Sequence, residues 1–146
     1  MKIYIDTSVV GGFYDAEFEE ATKLLFKKVE RGEITLIVSD LLRAELSLGP
    51  LHVRHHLDKY SGKQIQHVEL TDKASELAEQ YMTEKVVGRT SKADCQHIAI
   101  ATISGADALA SWNFKHIVNL KRIIGYNSVN LKMGYSSIEI RTPKEL

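Results

Sequence analysis

Cysteine is almost missing from this 146-residue chain: Cys95 stands alone, so no internal disulfide can form and no sulfur-rich zinc cage is available. That usage fits a reducing cytoplasm. Net charge is missing as well, with 19 lysines and arginines against 19 aspartates and glutamates, so no global field draws the chain toward nucleic acid, membrane or acidic substrate. Any polyanion it handles has to be held by a local patch or through bound metal. After Met1-Lys2 only Ile3-Tyr4-Ile5 precede an acid, so no signal peptide is expected. Every apolar run falls far short of the roughly 20 residues that span a bilayer, and no membrane role is expected. Repeats, low-complexity tracts and linkers are lacking too. Residues 1–146 are therefore expected to form one domain, long enough to bury a core without staples.

What is present is an ordinary globular composition, 44% apolar and 26% charged, patterned as strands alternating with helices. Strands read at Lys2–Ile5, Ile34–Val38, Ile65–Leu70 and Ala108–Ser111, with a last one over Ser137–Ile140. Between them the apolar spacing predicts helices over Glu17–Arg31, around Leu41–Leu46 behind a Ser39 or Asp40 cap, and over Leu51–Tyr60. Further helices are expected from Thr71 to about Val87, where Gly88 stops the run, from Ser91 to Thr102, and over much of Ile117–Met133. Such alternation implies an α/β fold with a parallel sheet and helices on its faces.

Against this background four polar residues stand out. Asp6 closes the first apolar strand just before a Thr7-Ser8 helix-start signal, at the kind of strand end where open α/β sheets bind ligands. Glu45 lies on a short helix among leucines, Asp94 falls in the first turn of its helix, and Asn113 follows the late strand beside Trp112. A charged or amide group among apolar residues is costly unless it has a partner. If the strands of Asp6 and Asn113 are neighbours, all four side chains can converge on one pocket, and oxygen donors of this kind suit Mg²⁺ or Mn²⁺. Each also has a plainer reading: Asp6 as a helix cap, Glu45 as a solvated face, Asp94 as a partner of the helix dipole.

Other positions carry two readings as well. Ser8 is placed to bond a phosphate, a metal-bound water or a neighbouring carboxylate, or simply to start a helix. His97 shares a helical face with Asp94, either as a group near substrate or as a half-buried histidine satisfied by a backbone carbonyl. His52, His55 and His56 have metal-ligand spacing but no matching acid, which favours a solvated face. Cys95 reads as packing. Lys115, His116, Lys121 and Arg122 adjoin the expected pocket and are the better candidates for phosphate contact, whereas Lys23, Lys27, Lys28 and Arg31 read as a solvated helix face. Trp112 and Phe114 suit base stacking or rim packing.

Four segments together resemble the PIN-domain family, most closely the VapC-type toxins of toxin–antitoxin pairs. They are Ile3-Tyr4-Ile5-Asp6-Thr7-Ser8, Ser39-Asp40-Leu41-Leu42-Arg43-Ala44-Glu45-Leu46, Lys92-Ala93-Asp94-Cys95-Gln96-His97-Ile98-Ala99-Ile100-Ala101, and Ala108-Leu109-Ala110-Ser111-Trp112-Asn113-Phe114. The resemblance implies a three-layer α/β/α fold around a mostly parallel sheet, and an endoribonuclease site dependent on Mg²⁺ or Mn²⁺. It also implies a homodimer and a cognate antitoxin partner. Asp6, Glu45 and Asp94 match the family's acidic metal ligands, and Asn113 stands where many relatives have an acid. Ser8, His97, Ser111 and Lys115 are the neighbouring residues expected to support the site or touch substrate. Asn113 adds no charge to hold a second cation. It therefore keeps open an alternative, a catalytically weak PIN domain that binds RNA or protein. A phosphoacceptor domain built on Asp6 is disfavoured because no suitable late lysine is found.

Overall fold

In the computed structural model, which describes residues 1–146, the chain builds one five-stranded, wholly parallel sheet. The strands are β1 (Lys2–Ile5), β2 (Thr35–Ser39), β3 (Ile65–Val68), β4 (Ala108–Ala110) and β5 (Ile140–Arg141). Their order across the sheet is β3-β2-β1-β4-β5. The helices are α1 (Thr7–Gly12), α2 (Glu19–Glu30), α3 (Asp40–Leu46), α4 (Leu51–Arg54), α5 (Asp72–Thr83), α6 (Lys92–Ile103) and α7 (Leu120–Lys132). The α/β/α architecture expected from the sequence is the one found.

Both faces of the sheet are covered, which explains why β1 reads as an unbroken apolar run and not as a polar–apolar alternation. Successive side chains still point to opposite sides. Tyr4, Ile37, Leu109 and Ile140 pack with α5, α6 and α7. Ile3, Ile5, Leu36, Val38 and Ala110 pack on the other side with α1, α2 and α3. The chain runs from β1 outward to β2 and β3, then crosses back to lay β4 on the opposite side of β1. The carboxyl ends of β1 and β4 thus form the topological switch point, where the connections leave in opposite directions and open a crevice. Ile5 is in register with Ala110, so the residues that follow, Asp6 and Ser111, emerge side by side.

Local chemistry explains most boundaries. Ser39 caps α3 by accepting from the Leu42 amide, and Thr71 caps α5 by accepting from that of Ala74. Several expectations need correction. Thr7 opens a short helix of its own before α2. The segment Leu51–Tyr60 is one α-helical turn followed by a 3₁₀ turn over His56–Lys59, whose tighter winding goes with the burial of His56 and Leu57. Helix α5 ends at Thr83 and not near Gly88. Leu77, Tyr81 and Met82 are core residues, so that face of α5 is packed inside the domain.

The histidine trio is likewise not a uniformly solvated face. His56 is 2% exposed, ringed by Phe13, Phe26 and Tyr60, and its Nδ1 is 2.7 Å from the Tyr14 hydroxyl. His52 lies edge-on to Tyr14 and is exposed, as is His55 beside Asp58. Burial, with a smaller push from Lys59, drives the His56 pKa down to about 4. The folded state therefore holds His56 neutral while the unfolded chain binds a proton below about pH 6.5. Stability from this group is fully present above that pH and is lost as the pH falls toward 4, on the order of 2 kcal/mol in all. The expected result is a melting temperature that drops between pH 6.5 and 4 in the wild type and drops distinctly less in His56→Phe.

Candidate active site

Asp6 sits at the head of α1, but its carboxylate makes no capping bond to that helix. Each oxygen instead accepts from a serine hydroxyl, Oδ1 from Ser8 at 2.6 Å and Oδ2 from Ser111 at 2.5 Å. Ser8 Oγ also accepts the Trp112 amide at 2.8 Å, and Ser111 Oγ accepts the Asn113 amide at 2.9 Å. The two serines therefore tie the turn after β1 to the turn after β4 through one buried carboxylate. Burial raises the Asp6 pKa, and the Ser111 and Ser8 bonds offset this only in part.

Asp94, in the first turn of α6, makes no ion pair with any basic side chain, and nor does Asp6. Its pKa is raised by burial and then by the charge of Asp6, with a further push from Glu45; His116 and His97 soften it. Asp94 thus ionises at a cost set by its own burial and by the two carboxylates of Asp6 and Glu45. Glu45 differs. Burial works against its charge, but hydrogen bonds from His97 and Thr7 prevail and its pKa ends below the usual range. Both bonds fall on Oε1, the Thr7 bond at 2.8 Å, and Oε2 is left without one.

His97 is almost wholly buried, and its partners are the Tyr4 hydroxyl at Nδ1, 2.6 Å away, and Glu45 at Nε2. The backbone carbonyl expected for it plays no part. Tyr4 is itself bonded to Ser39 Oγ at 2.8 Å, and burial keeps its phenol protonated. One assignment satisfies every group: Ser39 donates to Tyr4, Tyr4 donates to His97 Nδ1, and the Nε2–H donates to Glu45. A relay of core side chains thus fixes where the Glu45 carboxylate stands. Sequence reading missed Tyr4, Thr7 and Ser39, since a tyrosine in an apolar strand gives no sign of a histidine 93 residues away.

Asn113 lies on the rim. Its Oδ1 accepts the amides of Lys115 at 3.2 Å and His116 at 3.0 Å, so the side chain shapes its own turn. Lys115 is exposed. Trp112 stacks on Phe18 at 4.4 Å, and its Nε1 donates to Thr22 at 2.9 Å. The approach requires Gly12: a Cβ there would stand 2.7 Å from the indole. Packing thus claims most of Trp112, while Phe114 is about half exposed.

The donor chemistry fits a hydrated divalent cation. Asp6 raises the cost of ionising Asp94, and neither carboxylate has a salt-bridge partner, an arrangement for which a cation is the general remedy. No three acid, imidazole or thiol groups are close enough to close a coordination shell. Mg²⁺ needs no such cage, since it commonly keeps several waters and takes one or two carboxylates.

Solved structures share this architecture. VapC20 from Mycobacterium tuberculosis, described as a toxin that cleaves the sarcin–ricin loop, matches with a TM-score of 0.59 and 15% identity over 77% of this chain and 91% of its own. VapBC2 from Rickettsia felis, solved on a DNA fragment from its promoter, matches at 0.56 and 16% over 79% and 90%. FitAcB from Neisseria gonorrhoeae matches at 0.61 and 14% over 99% of both chains. The fold is therefore the PIN-like α/β/α fold. No family model and no curated protein sequence matches the chain.

Ser111→Ala deprives the buried Asp6 carboxylate of one of two donors, at a cost of about 1–3 kcal/mol. Urea unfolding at pH 7.5 should show a lower midpoint with an unchanged slope. A midpoint equal to the wild type would mean that the Ser111 bond carries no weight.

Proposed function

We propose that this chain is a metal-dependent endoribonuclease of the VapC type, the toxin of a toxin–antitoxin pair. The observation that carries the reading is the buried Asp6 carboxylate at the β1/β4 switch point, bonded by two serine hydroxyls and by no salt bridge, whose charge, with that of Glu45, raises the pKa of Asp94. The resemblance of the four motifs and the shared fold support the same conclusion. Asp6, Asp94 and Glu45 are assigned to hold Mg²⁺ or Mn²⁺. When bound, the ion supplies an activated water and stabilises charge on the phosphate oxygens.

The chain's own residues then do the positioning. Ser8 and Ser111 hold Asp6 in a single orientation, so its remaining lone pairs face the crevice. Thr7 and His97 occupy Glu45 Oε1 and leave Oε2 available. Neither Asp6 nor Asp94 is neutralised by a side chain, so both keep their affinity for a cation. Lys115, exposed just past the crevice, is assigned to a substrate phosphate. The antitoxin is proposed from the resemblance, and a groove of about 610 Å³ beside the site, lined in part by Leu24, Trp112 and Phe114, offers an apolar surface for it. A homodimer is proposed as well; Leu48 and Leu51, both exposed, offer apolar surface for it between α3 and α4. No helix is long and apolar enough to cross a membrane.

One observation favours a second reading, a weakly catalytic PIN module that binds RNA or protein: the Asn113 carbonyl is spent on its own turn and brings no fourth acidic ligand. Cleavage separates the two. A mixed pool of structured RNAs incubated with Mg²⁺ or Mn²⁺ should be cut, EDTA should stop the reaction, and Asp6→Asn or Asp94→Asn should slow it by on the order of a thousandfold. RNA left intact at every metal concentration would favour the binding module.

A further inference from the structure

Helices α2, α5, α6 and α7 all end in the same way. Two crossed hydrogen bonds close each last turn, as in Glu33 to Lys28 with Gly32 to Val29, and in Ala106 to Ala101 with Gly105 to Thr102. This closure puts one residue in the left-handed region, where glycine alone is free of strain. Glycine fills the position in three of the four helices: Gly32 (φ 77°), Gly105 (φ 72°) and Gly134 (φ 86°). At the end of α5 the residue is Lys85, at φ 59°, the one non-glycine residue in the chain with positive φ. Its two bonds, Val86 to Tyr81 and Lys85 to Met82, are both 3.0 Å, so the closure is regular and the strain belongs to the side chain.

What surrounds Lys85 gives the strain a use. A cavity of about 440 Å³ is lined by Met82, Lys85, Val87, Gly88, Arg89 and Arg122. Three of those six residues are cationic and none is acidic. Arg89 pairs with Glu79 at 2.9 Å, Lys92 reaches the same carboxylate at 3.9 Å, and Glu84 is taken by Lys132 at 2.8 Å. Lys85 and Arg122 are left without a carboxylate; Arg122 is steadied by the Val86 carbonyl. The Glu79 pairs set the end of α5 beside the start of α6, whose first turn carries Asp94.

We propose that Lys85, Arg89 and Arg122 form a binding subsite for a backbone phosphate of the RNA strand, away from the bond that is cut. The inference rests on the ribonuclease reading and adds to it. An acidic crevice repels a polyanion, and the balanced overall charge supplies no compensating field, so the strand has to be anchored by local cations. Such contacts position without reading sequence, and they make binding salt-dependent. Lys85 at a strained position fits a residue kept for its charge.

The test uses full-length protein and a fluorescein-labelled mixed-sequence RNA oligonucleotide in EDTA, with binding followed by anisotropy from 50 to 200 mM salt. Lys85→Gly should raise the melting temperature by about 3 °C, because the strain is gone, while weakening RNA binding about 3- to 10-fold and lowering the salt slope by roughly one. Lys85→Arg keeps both charge and strain, and should bind like the wild type. Stability and affinity moving in opposite directions is a result that a purely structural role for Lys85 does not give. Unchanged affinity in Lys85→Gly, or equal loss in Lys85→Arg, would overturn the subsite while leaving the ribonuclease reading intact. A wild type with no RNA affinity would overturn both. If Lys85→Gly weakens binding of a poly-glutamate peptide and not of RNA, the cavity belongs to an acidic protein partner and the proposal fails.

Discussion

Asp6 is a carboxylate buried where it should be expensive, and the surrounding architecture is arranged so that it can remain there. Its two oxygens are met by hydroxyls from opposite sides of the switch point, Ser8 from the turn after β1 and Ser111 from the turn after β4. Those serines also accept the amides of Trp112 and Asn113, so the carboxylate, the two turns and the β1/β4 register are one cooperative unit. Two neutral hydroxyls do not repay the full desolvation of a charge, and on the proposed reading a bound cation would relieve the residual cost. The charge of Asp6 in turn raises the pKa of Asp94. Glu45 stands apart because the relay Ser39–Tyr4–His97 holds it charged.

Parts of this arrangement were legible in the sequence and parts were not, for identifiable reasons. Asp6 could be seen because it interrupts a strand that is otherwise apolar, and the alternation of strands and helices was enough to imply a parallel sheet. The convergence of Asp6 with Asp94 and Glu45 required the strand order, which no local pattern encodes. His97 was visible as a neighbour of Asp94 on its helix, but its partners, Tyr4 and Glu45, come from other elements. His56 read as solvated because its spacing was polar; the aromatic ring around it is assembled from α1, α2 and the 3₁₀ turn. The end of α5 was misplaced for a physical reason too: Gly88 is the residue that usually stops a helix, while the actual stop is a lysine carrying glycine's conformation.

Charge is segregated in a molecule whose total is zero. Asp6 and Asp94 stand in the crevice without a salt-bridge partner, while Lys85 and Arg122, without acidic partners, line the cavity at the α5–α6 junction beside Arg89, and Lys115 lies exposed on the rim. On the proposed reading, that separation reconciles a neutral composition with a polyanionic substrate: the acids would serve the cation, and the bases the phosphates at a distance from it. Asn113 marks where the resemblance thins, since its oxygen closes a turn at the edge of the crevice. The catalytic reading therefore stands on three acids and their supporting hydroxyls and imidazole.

The central claim is that Asp6, Asp94 and Glu45 together capture a divalent ion. Crystals soaked in Mn²⁺ and measured at a wavelength that reveals the metal's anomalous signal test it most directly. The account predicts one peak within coordination distance of the Asp6 and Asp94 carboxylates, lost in Asp94→Asn crystals grown and soaked in the same way. A wild-type map with no peak in the crevice at saturating Mn²⁺, or with peaks confined to surface acids, would contradict it.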